Sequence, residues 1–164
     1  MGDLISIVPD GVHYDDMVEA LYARTFGPGR FAKAAARLRE NNHCLRAASF
    51  VALSLGSVVG ACRTWPIIGQ TPQRAVFLGP IAVDRSVQSQ GLGHQLVSKC
   101  LAALHGNTVI LVGDLGFFAD LGFEIVPDGN VIMPGPVHPQ RLLWRLAATD
   151  PVPSFGRLKP WPRQ

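Results

Sequence analysis

Four segments of the chain carry apolar residues at intervals of three and four positions, the spacing of a helix with one buried face. They are residues 15–26, 31–40, 91–104 and, for one or two turns only, 116–121. Glycine or asparagine follows each of the first three segments, as expected where a helix ends. The clearest prediction is the helix over 91–104, whose buried stripe would consist of Leu92, Leu96, Val97, Cys100, Leu101 and Leu104.

Shorter apolar runs bounded by turn residues predict strands. The predicted strands are residues 4–8, 46–53, 57–65, 75–83 and 109–112, with 123–126, 131–133 and 141–147 as candidate closing strands. Leu55 and Gly56 suit the tight turn of a hairpin, and 66–73 is expected to be a loop. Because the strand over 75–83 contains Gly79 and Pro80, we expect a bulge there. The segment 141–147 has a helix-like composition, which leaves its type open.

The order of these elements predicts an α/β fold with a mixed sheet. Residues 1–150 show no linker or internal repeat and are expected to form a single domain. Residues 151–164 contain four prolines with Arg157, Lys159 and Arg163, so a proline-rich basic tail, an irregular strap or arm, is expected there.

Composition and charge narrow the class of protein. The chain has 164 residues, 48% apolar and 16% charged, which is enough to bury one core. Its net charge of +3 is scattered, without the basic blocks typical of nucleic-acid binding. The start has no signal-peptide pattern, and no apolar run is long enough to span a bilayer. We therefore expect a cytoplasmic protein with neither nucleic acid nor membrane as partner.

The three cysteines, Cys44, Cys62 and Cys100, lie far apart without C-x-x-C spacing, so no metal or redox site is predicted. They are expected to be reduced and buried. A catalytic cysteine is the alternative, but the apolar helix face around Cys100 favours a core position.

The most informative segment is Gln88-Ser89-Gln90-Gly91-Leu92-Gly93, directly before the clearest helix. A helix start offers unpaired N–H groups and a positive dipole end, and glycines let an anion approach closely. A dinucleotide site would need a third glycine and a P-loop a Lys-Ser/Thr pair, and both are missing. The pattern favours another kind of phosphate-binding loop over an ordinary loop before a helix.

This loop resembles the Q/R-x-x-G-x-G/A motif of the GNAT acetyltransferase superfamily. LGPIAVDRSVQSQGLGHQLV is similar to that superfamily's bulged strand, pyrophosphate loop and long helix, and VILVGD and FFADLGF to its next strand and short helix. The resemblance spans residues 76–123. FGPGRFAKAAARLREN and LVGDLGFFADLGF resemble the YhbS-like bacterial branch.

The resemblance implies a GNAT fold whose mostly antiparallel sheet splays between strands 4 and 5, with acetyl-CoA as cosubstrate. Its pantetheine would bond to exposed backbone as an added strand. The implied cofactor-binding residues are Ile81, Ala82, Val83, Gln88, Ser89, Gln90, Gly91, Leu92, Gly93, His94, Asp114, Phe117 and Phe118. The acceptor groove is expected from residues 26–43 and the loop around Trp65.

Catalytic candidates are fewer. Backbone N–H groups near Val83 would stabilise the oxyanion, and Asp84 could orient or deprotonate the amine or only bond locally. Asp114 is either a helix cap or a site residue. Glu40 and His43 are candidates for the base, while the superfamily's common tyrosine, a proton donor to the thiolate, is replaced here by Phe118.

The resulting hypothesis is direct transfer of an acetyl group from acetyl-CoA to the primary amine of a small molecule or peptide. A non-catalytic acyl-CoA sensing module is the rival, favoured by Phe118, and a nucleotide-binding domain is a third hypothesis. The oligomeric state, a homodimer included, is left open.

Overall fold

A computed structural model describes residues 4–27, 34–88, 90–147 and 152–161. The α-helices are α1 Asp15–Phe26, α2 Ala34–Arg39, α3 Leu92–Ala103 and α4 Leu115–Phe118. Short 3-10 turns lie at Val12–Tyr14, Arg46–Ala48, Arg85–Val87, Ala119–Leu121 and Pro139–Arg141. The strands are β1 Ile5–Pro9, β2 Phe50–Ser54, β3 Ser57–Ile68, β4 Arg74–Val83, β5 Val109–Val112, β6 Glu124–Ile125, β7 Val131–Ile132, β8 Leu142–Arg145, β9 Gly156–Arg157 and β10 Lys159–Pro160. No helix in the described ranges is long and apolar enough to cross a membrane.

The strands form a mixed sheet in the order β1-β2-β3-β4-β5-β8-β6, with β10 added beside β3. β4 and β5 run parallel, and Val76 and Phe77 pair with Val109 and Ile110. β4 continues six residues beyond this register, to Val83. The predicted fold class, a mostly antiparallel GNAT sheet that opens between strands 4 and 5, is confirmed.

The chain divides into two compact units, one within residues 1–30, 45–64 and 79–104 and the other within 31–44, 65–78 and 105–164. In the first unit, Val18, Leu21 and Tyr22 of α1 pack with a cluster of small and branched side chains, Val51, Val58, Ala61 and Ala82. Helix α3 buries the predicted stripe, and Gly60 of β3 lies so close to Leu96 that a Cβ there would be 3.0 Å from its side chain.

The predicted strand 46–53 is wrong at its start. Residues Arg46–Ala48 form a 3-10 turn instead, with the Ala48 N–H donating to the Leu45 carbonyl at 3.0 Å. The turn brings the Arg46 guanidinium to Asp15 at 2.9 Å and to Asp10 at 3.2 Å. Buried Arg63 binds the same two carboxylates. A network of four charges therefore competes with strand formation at this point.

In the second unit, the predicted loop 66–73 is wrong for its first residues because β3 continues to Ile68. Lys159 and Pro160 of β10 pair with Ile68 and Ile67, so the C-terminal segment supplies the strand partner. The tail, predicted to be irregular, contains two short strands, since β9 also pairs with β7. Phe155 anchors it: the side chain is buried, and its carbonyl accepts a bond from the Gln70 N–H at 2.8 Å.

Cys62 and Cys100 are buried as predicted, whereas Cys44 is half-buried. The Cys100 Sγ lies 3.7 Å from the Cys62 carbonyl oxygen. Burial, reinforced by the hydrogen bond and charge of Cys100, raises the pKa of the Cys62 thiol well above its ordinary value. Cys62 is therefore a neutral core residue, as its pattern indicated.

Candidate functional site

At the C-terminal end of β4, the backbone N–H and C=O groups of alternate residues face away from β3. The Asp84 N–H donates to the Val59 carbonyl of β3 at 2.8 Å. The N–H and C=O groups of one strand residue point to the same edge of the strand, and successive residues alternate between the two edges. Ala82 therefore faces β3 as Asp84 does, whereas the N–H and C=O groups of Ile81 and Val83 face the other edge. The Ala82 side chain is buried, whereas Ile81 and Val83 are half-buried.

Asp84 organises the turn that follows β4. Its carboxylate accepts the Ser86 N–H at 3.0 Å and the Ser86 hydroxyl at 2.9 Å, and it pairs with Arg24 at 3.0 Å. The two Ser86 hydrogen bonds, followed by the bond and charge of Arg24, outweigh burial and lower the pKa of Asp84. A lowered pKa makes the carboxylate a weaker base. The contacts to Ser86 are the local bonding expected of Asp84, and its catalytic role stays a prediction.

The glycine loop continues directly from this turn. The Gln88 side chain donates to the Val83 carbonyl at 3.0 Å and so ties the loop to the end of β4. Gly91 has φ 73° and ψ 14°, a left-handed conformation that suits glycine, and a Cβ placed there would have no heavy atom within 4 Å. Gln90 is exposed, and Ser89, also predicted to bind the cofactor, lies outside the described residues.

Helix α3 begins at this glycine without a side-chain cap. The N-cap residue Gly91 makes no side-chain cap bond, and the first turn contains no acidic residue. Leu92 turns its side chain into the core, while Gly93 and His94 are half-buried. The start of this 12-residue helix therefore combines N–H groups that point out of the first turn, a positive dipole end and open space at Gly91, which is what an anion requires.

The candidates of the second unit lie at the start of α4. The Asp114 carboxylate accepts the Gly116 N–H at 3.2 Å and so caps this short helix. Phe117 is 41% exposed, but Phe118 is only 6% exposed. The Phe118 ring meets Phe117 and Phe123 edge to face, at centroid distances of 4.7 and 5.6 Å. It also rests on Gly113, where a Cβ would be 2.5 Å from the ring.

The remaining candidate residues lie in the second unit or outside the described residues. Glu40 and His43, the candidate bases, are exposed in the second unit, and Trp65 of β3 is half-buried there. Residues 28–33 of the predicted acceptor segment 26–43 lie outside the described residues. The structure thus joins Val83 to Gln88 and the loop to α3 in one continuous stretch, whereas Asp114, Phe117 and Phe118 form a separate group on α4.

Sequence reasoning missed two contacts around β4. Arg24 of α1 binds Asp84, and the Tyr22 hydroxyl donates to the Pro80 carbonyl at 3.0 Å. Tyr22 belongs to the buried face of α1, the helix predicted over 15–26. Its position on that face signals burial, and nothing in the sequence indicates where a buried hydroxyl finds its acceptor.

Solved structures of the same fold cover nearly the whole chain. The GNAT family N-acetyltransferase YhbS from Escherichia coli, in complex with CoA, is 24% identical with a TM-score of 0.79, covering 98% of this chain and 92% of its own. A GNAT family acetyltransferase from Brucella melitensis, in complex with acetyl-CoA, is 21% identical with a TM-score of 0.65, covering 96% of both chains. Arabidopsis thaliana Naa50, bound to the bisubstrate analogue CoA-Ac-MVNAL, is 16% identical with a TM-score of 0.58, covering 85% of this chain and 95% of its own.

A comparison with curated proteins gives no match. At 24% identity, the likeness to YhbS shows the fold. The family model described as acetyltransferase (GNAT) family matches residues 15–123, which include α1, strand β4, the glycine loop, α3 and α4. The chain therefore belongs to the acetyltransferase (GNAT) family.

Proposed function

We propose that the protein transfers the acetyl group of acetyl-CoA to a primary amine. One observation carries the proposal: the chain passes from β4 through a short turn to an uncapped helix start at Gly91, and the N–H and C=O groups of Ile81 and Val83 at the end of β4 face away from β3. The first feature suits a pyrophosphate and the second an amide-containing arm. We treat residues 1–150 as one acetyltransferase domain and 151–164 as its tail.

The residues present fit the cosubstrate at both places. A Cβ at Gly91 would have no heavy atom within 4 Å, so the space beside its Cα is open to a pyrophosphate oxygen. The N–H groups of Leu92 and Gly93 belong to the first turn of α3 and would serve as donors. Val83 would offer its N–H and C=O to the pantetheine amides, with Gln88 holding that carbonyl in place, and the Ile81 C=O would serve as a further acceptor.

When bound, acetyl-CoA supplies an activated acyl carbon and a thiol leaving group. The chain contributes fixed backbone donors: N–H groups of the Ile81–Val83 segment would stabilise negative charge on the acyl oxygen as the amine attacks. A lysine-like amine must first lose a proton, which near pH 7 costs about 4 to 5 kcal/mol from a pKa near 10.4. Asp84 is a weak base for this step, so Glu40, His43 or water remains the proposed route.

The test is turnover with matched acceptors. Acetyl-CoA is incubated with a panel of a polyamine, an aminoglycoside and a peptide with a free N-terminus, and thiol release is followed. For each amine that reacts, the analogue with hydroxyl in place of amine is the control. We expect release with at least one amine and none with its hydroxyl analogue.

One observation favours the rival function, a non-catalytic acyl-CoA sensor. Position 118 has no hydroxyl, and its ring is buried among Phe117, Phe123 and Gly113. A thiol has an ordinary pKa near 8.5, so its thiolate leaves without an acid and slow transfer is still expected. Binding of acetyl-CoA without thiol release across the whole panel would establish the sensor instead.

A further inference from the structure

Tyr22 places a hydroxyl inside the apolar cluster between α1 and the sheet of the first unit. The side chain is 3% exposed and packs among Val18, Leu21 and Ala82. A buried hydroxyl without a partner is unfavourable, and this one donates to the Pro80 carbonyl oxygen at 3.0 Å. The bond crosses 58 positions of sequence and joins α1 to β4 at the irregular point of the strand.

Pro80 is a place where the strand needs outside support. Proline has no N–H for the ladder, and the preceding Gly79 has φ 137°, far from strand values. The hydrogen bond from Tyr22 therefore holds a peptide group at a point where the usual ladder is weakened.

The peptide group concerned joins Pro80 to Ile81. A trans peptide is planar, and its C=O and N–H point in opposite directions. Fixing the Pro80 oxygen with the Tyr22 hydroxyl therefore also fixes the direction of the Ile81 N–H, which faces the edge of β4 opposite β3. A hydrogen bond accepted by the C=O also polarises the peptide and strengthens the N–H as a donor.

The proposed function places this N–H at the reactive end of the cosubstrate. If acetyl-CoA binds as proposed, its pyrophosphate would lie at residues 91–93 and its pantetheine arm would follow β4 from Val83 towards Ile81, which would put the thioester near the Pro80–Ile81 peptide. We propose that Tyr22 is a positioning residue, which aims the Ile81 N–H at the acyl oxygen through the Pro80 carbonyl. This inference rests on the function proposed above.

The experiment compares Tyr22→Phe with Tyr14→Phe. Tyr14 is the other tyrosine of the chain, is half-buried and packs against the same cluster, so its variant controls for loss of a hydroxyl in this unit. Calorimetry measures the affinity of wild type and both variants for ADP, CoA and acetyl-CoA. ADP reports the pyrophosphate site, and the ratio of acetyl-CoA to CoA affinity reports the acyl oxygen.

We expect Tyr22→Phe to bind ADP and CoA within about twofold of wild type and acetyl-CoA about fivefold more weakly, the size of one hydrogen bond. Its kcat with a reactive amine should fall more than its KM for acetyl-CoA rises. Tyr14→Phe should match wild type in all of these.

The inference fails if Tyr22→Phe keeps the wild-type ratio of acetyl-CoA to CoA affinity, or if ADP binding falls equally. Both of those results leave the proposed function intact. Failure of the proposed function looks different, because wild type itself would then bind neither CoA nor acetyl-CoA. In that case hydrogen exchange of the Ile81 amide tests the contact by itself. Faster exchange in Tyr22→Phe than in Tyr14→Phe would show that Tyr22 holds this peptide group, and equal rates would show that it does not.

Discussion

Helices α3 and α4 begin in opposite ways. Helix α3 starts at a left-handed glycine with no side-chain cap and no acidic residue in its first turn. Helix α4 starts at Asp114, whose carboxylate accepts the Gly116 N–H, and the short turn at Arg85–Val87 starts in the same way at Asp84. Helix α4 follows the end of β5, and the turn at Arg85–Val87 and then helix α3 follow the end of β4.

The difference separates two uses of a helix start. A carboxylate cap satisfies one orphan N–H group and complements the dipole, so little remains for a ligand. An uncapped glycine start leaves donors and charge uncompensated and keeps the approach free of side chains. We therefore propose that the start of α3 binds an anion and that Asp84 and Asp114 have a structural role at theirs.

The largest effect is expected from a carboxylate placed at the start of α3, where Gly91 stands, because the start of α4 already has the carboxylate of Asp114. Gly91→Glu places a carboxylate where the pyrophosphate would lie, and like charges in contact disfavour binding by several kcal/mol. We expect CoA affinity to fall by about 100-fold or more, measured by calorimetry.

The matched control is Gly106→Glu. Gly106 also has a positive φ, 85°, with no heavy atom within 4 Å of a Cβ, so both variants carry a similar backbone strain of about 1 to 2 kcal/mol and the same charge. Gly106→Glu should bind CoA as wild type does. Equal losses in the two variants would show that strain or net charge, and not the loop, explains the effect.

The second effect concerns the aromatic group on α4. Phe118→Tyr restores the hydroxyl common in the family, and a general acid is worth about 10² to 10⁴-fold where it operates. We expect kcat to rise about tenfold or more, with CoA affinity unchanged. Phe117→Tyr adds the same hydroxyl to the exposed neighbouring ring and should leave kcat unaltered. A slower Phe118→Tyr enzyme with normal binding would mean that the phenyl ring shapes the site.

A smaller effect is expected on stability when the α4 cap is removed. Asp114→Ala deletes the acceptor of the Gly116 N–H, and loss of such a cap costs about 1 kcal/mol. Urea unfolding should show this decrease, while the Kd for CoA stays within about twofold of wild type. A large loss of CoA affinity would instead make Asp114 a ligand-binding residue, as the sequence resemblance implied.

The smallest effect is a pH dependence at the other carboxylate cap. Because the pKa of Asp84 is lowered on folding, its stabilising contribution is fully present above the unfolded value, near 3.8, and disappears as the pH falls through the lower folded value. Asn at this position keeps the acceptor oxygen for Ser86 without the charge. The free energy of unfolding of wild type should exceed that of Asp84→Asn at pH 6, and the gap should close below pH 3.8. A gap that does not shrink as the pH falls below 3.8 would exclude this charge as its cause.

How much the sequence predicted depended on the range of the interactions involved. Helix α1, strand β5 and the start of α3 follow from local spacing and flanking glycines, and all three were predicted within a residue. Where distant chain segments decide the structure, the prediction was wrong: β3 extends to Ile68 because β10 pairs with it, and Arg46 leaves the strand to reach Asp10 and Asp15. Within the candidate site, the glycine loop was readable, whereas the Tyr22 contact to Pro80 was not.

The central claim is that CoA binds at the start of α3. Hydrogen exchange with and without CoA tests it directly, because exchange reports each amide of the loop and of both helix starts in the wild-type protein. We expect CoA to slow exchange in residues 90–95 more than anywhere in 115–121. Exchange unchanged in 90–95 while 115–121 becomes protected, or unchanged throughout the chain at saturating CoA, would contradict the assignment.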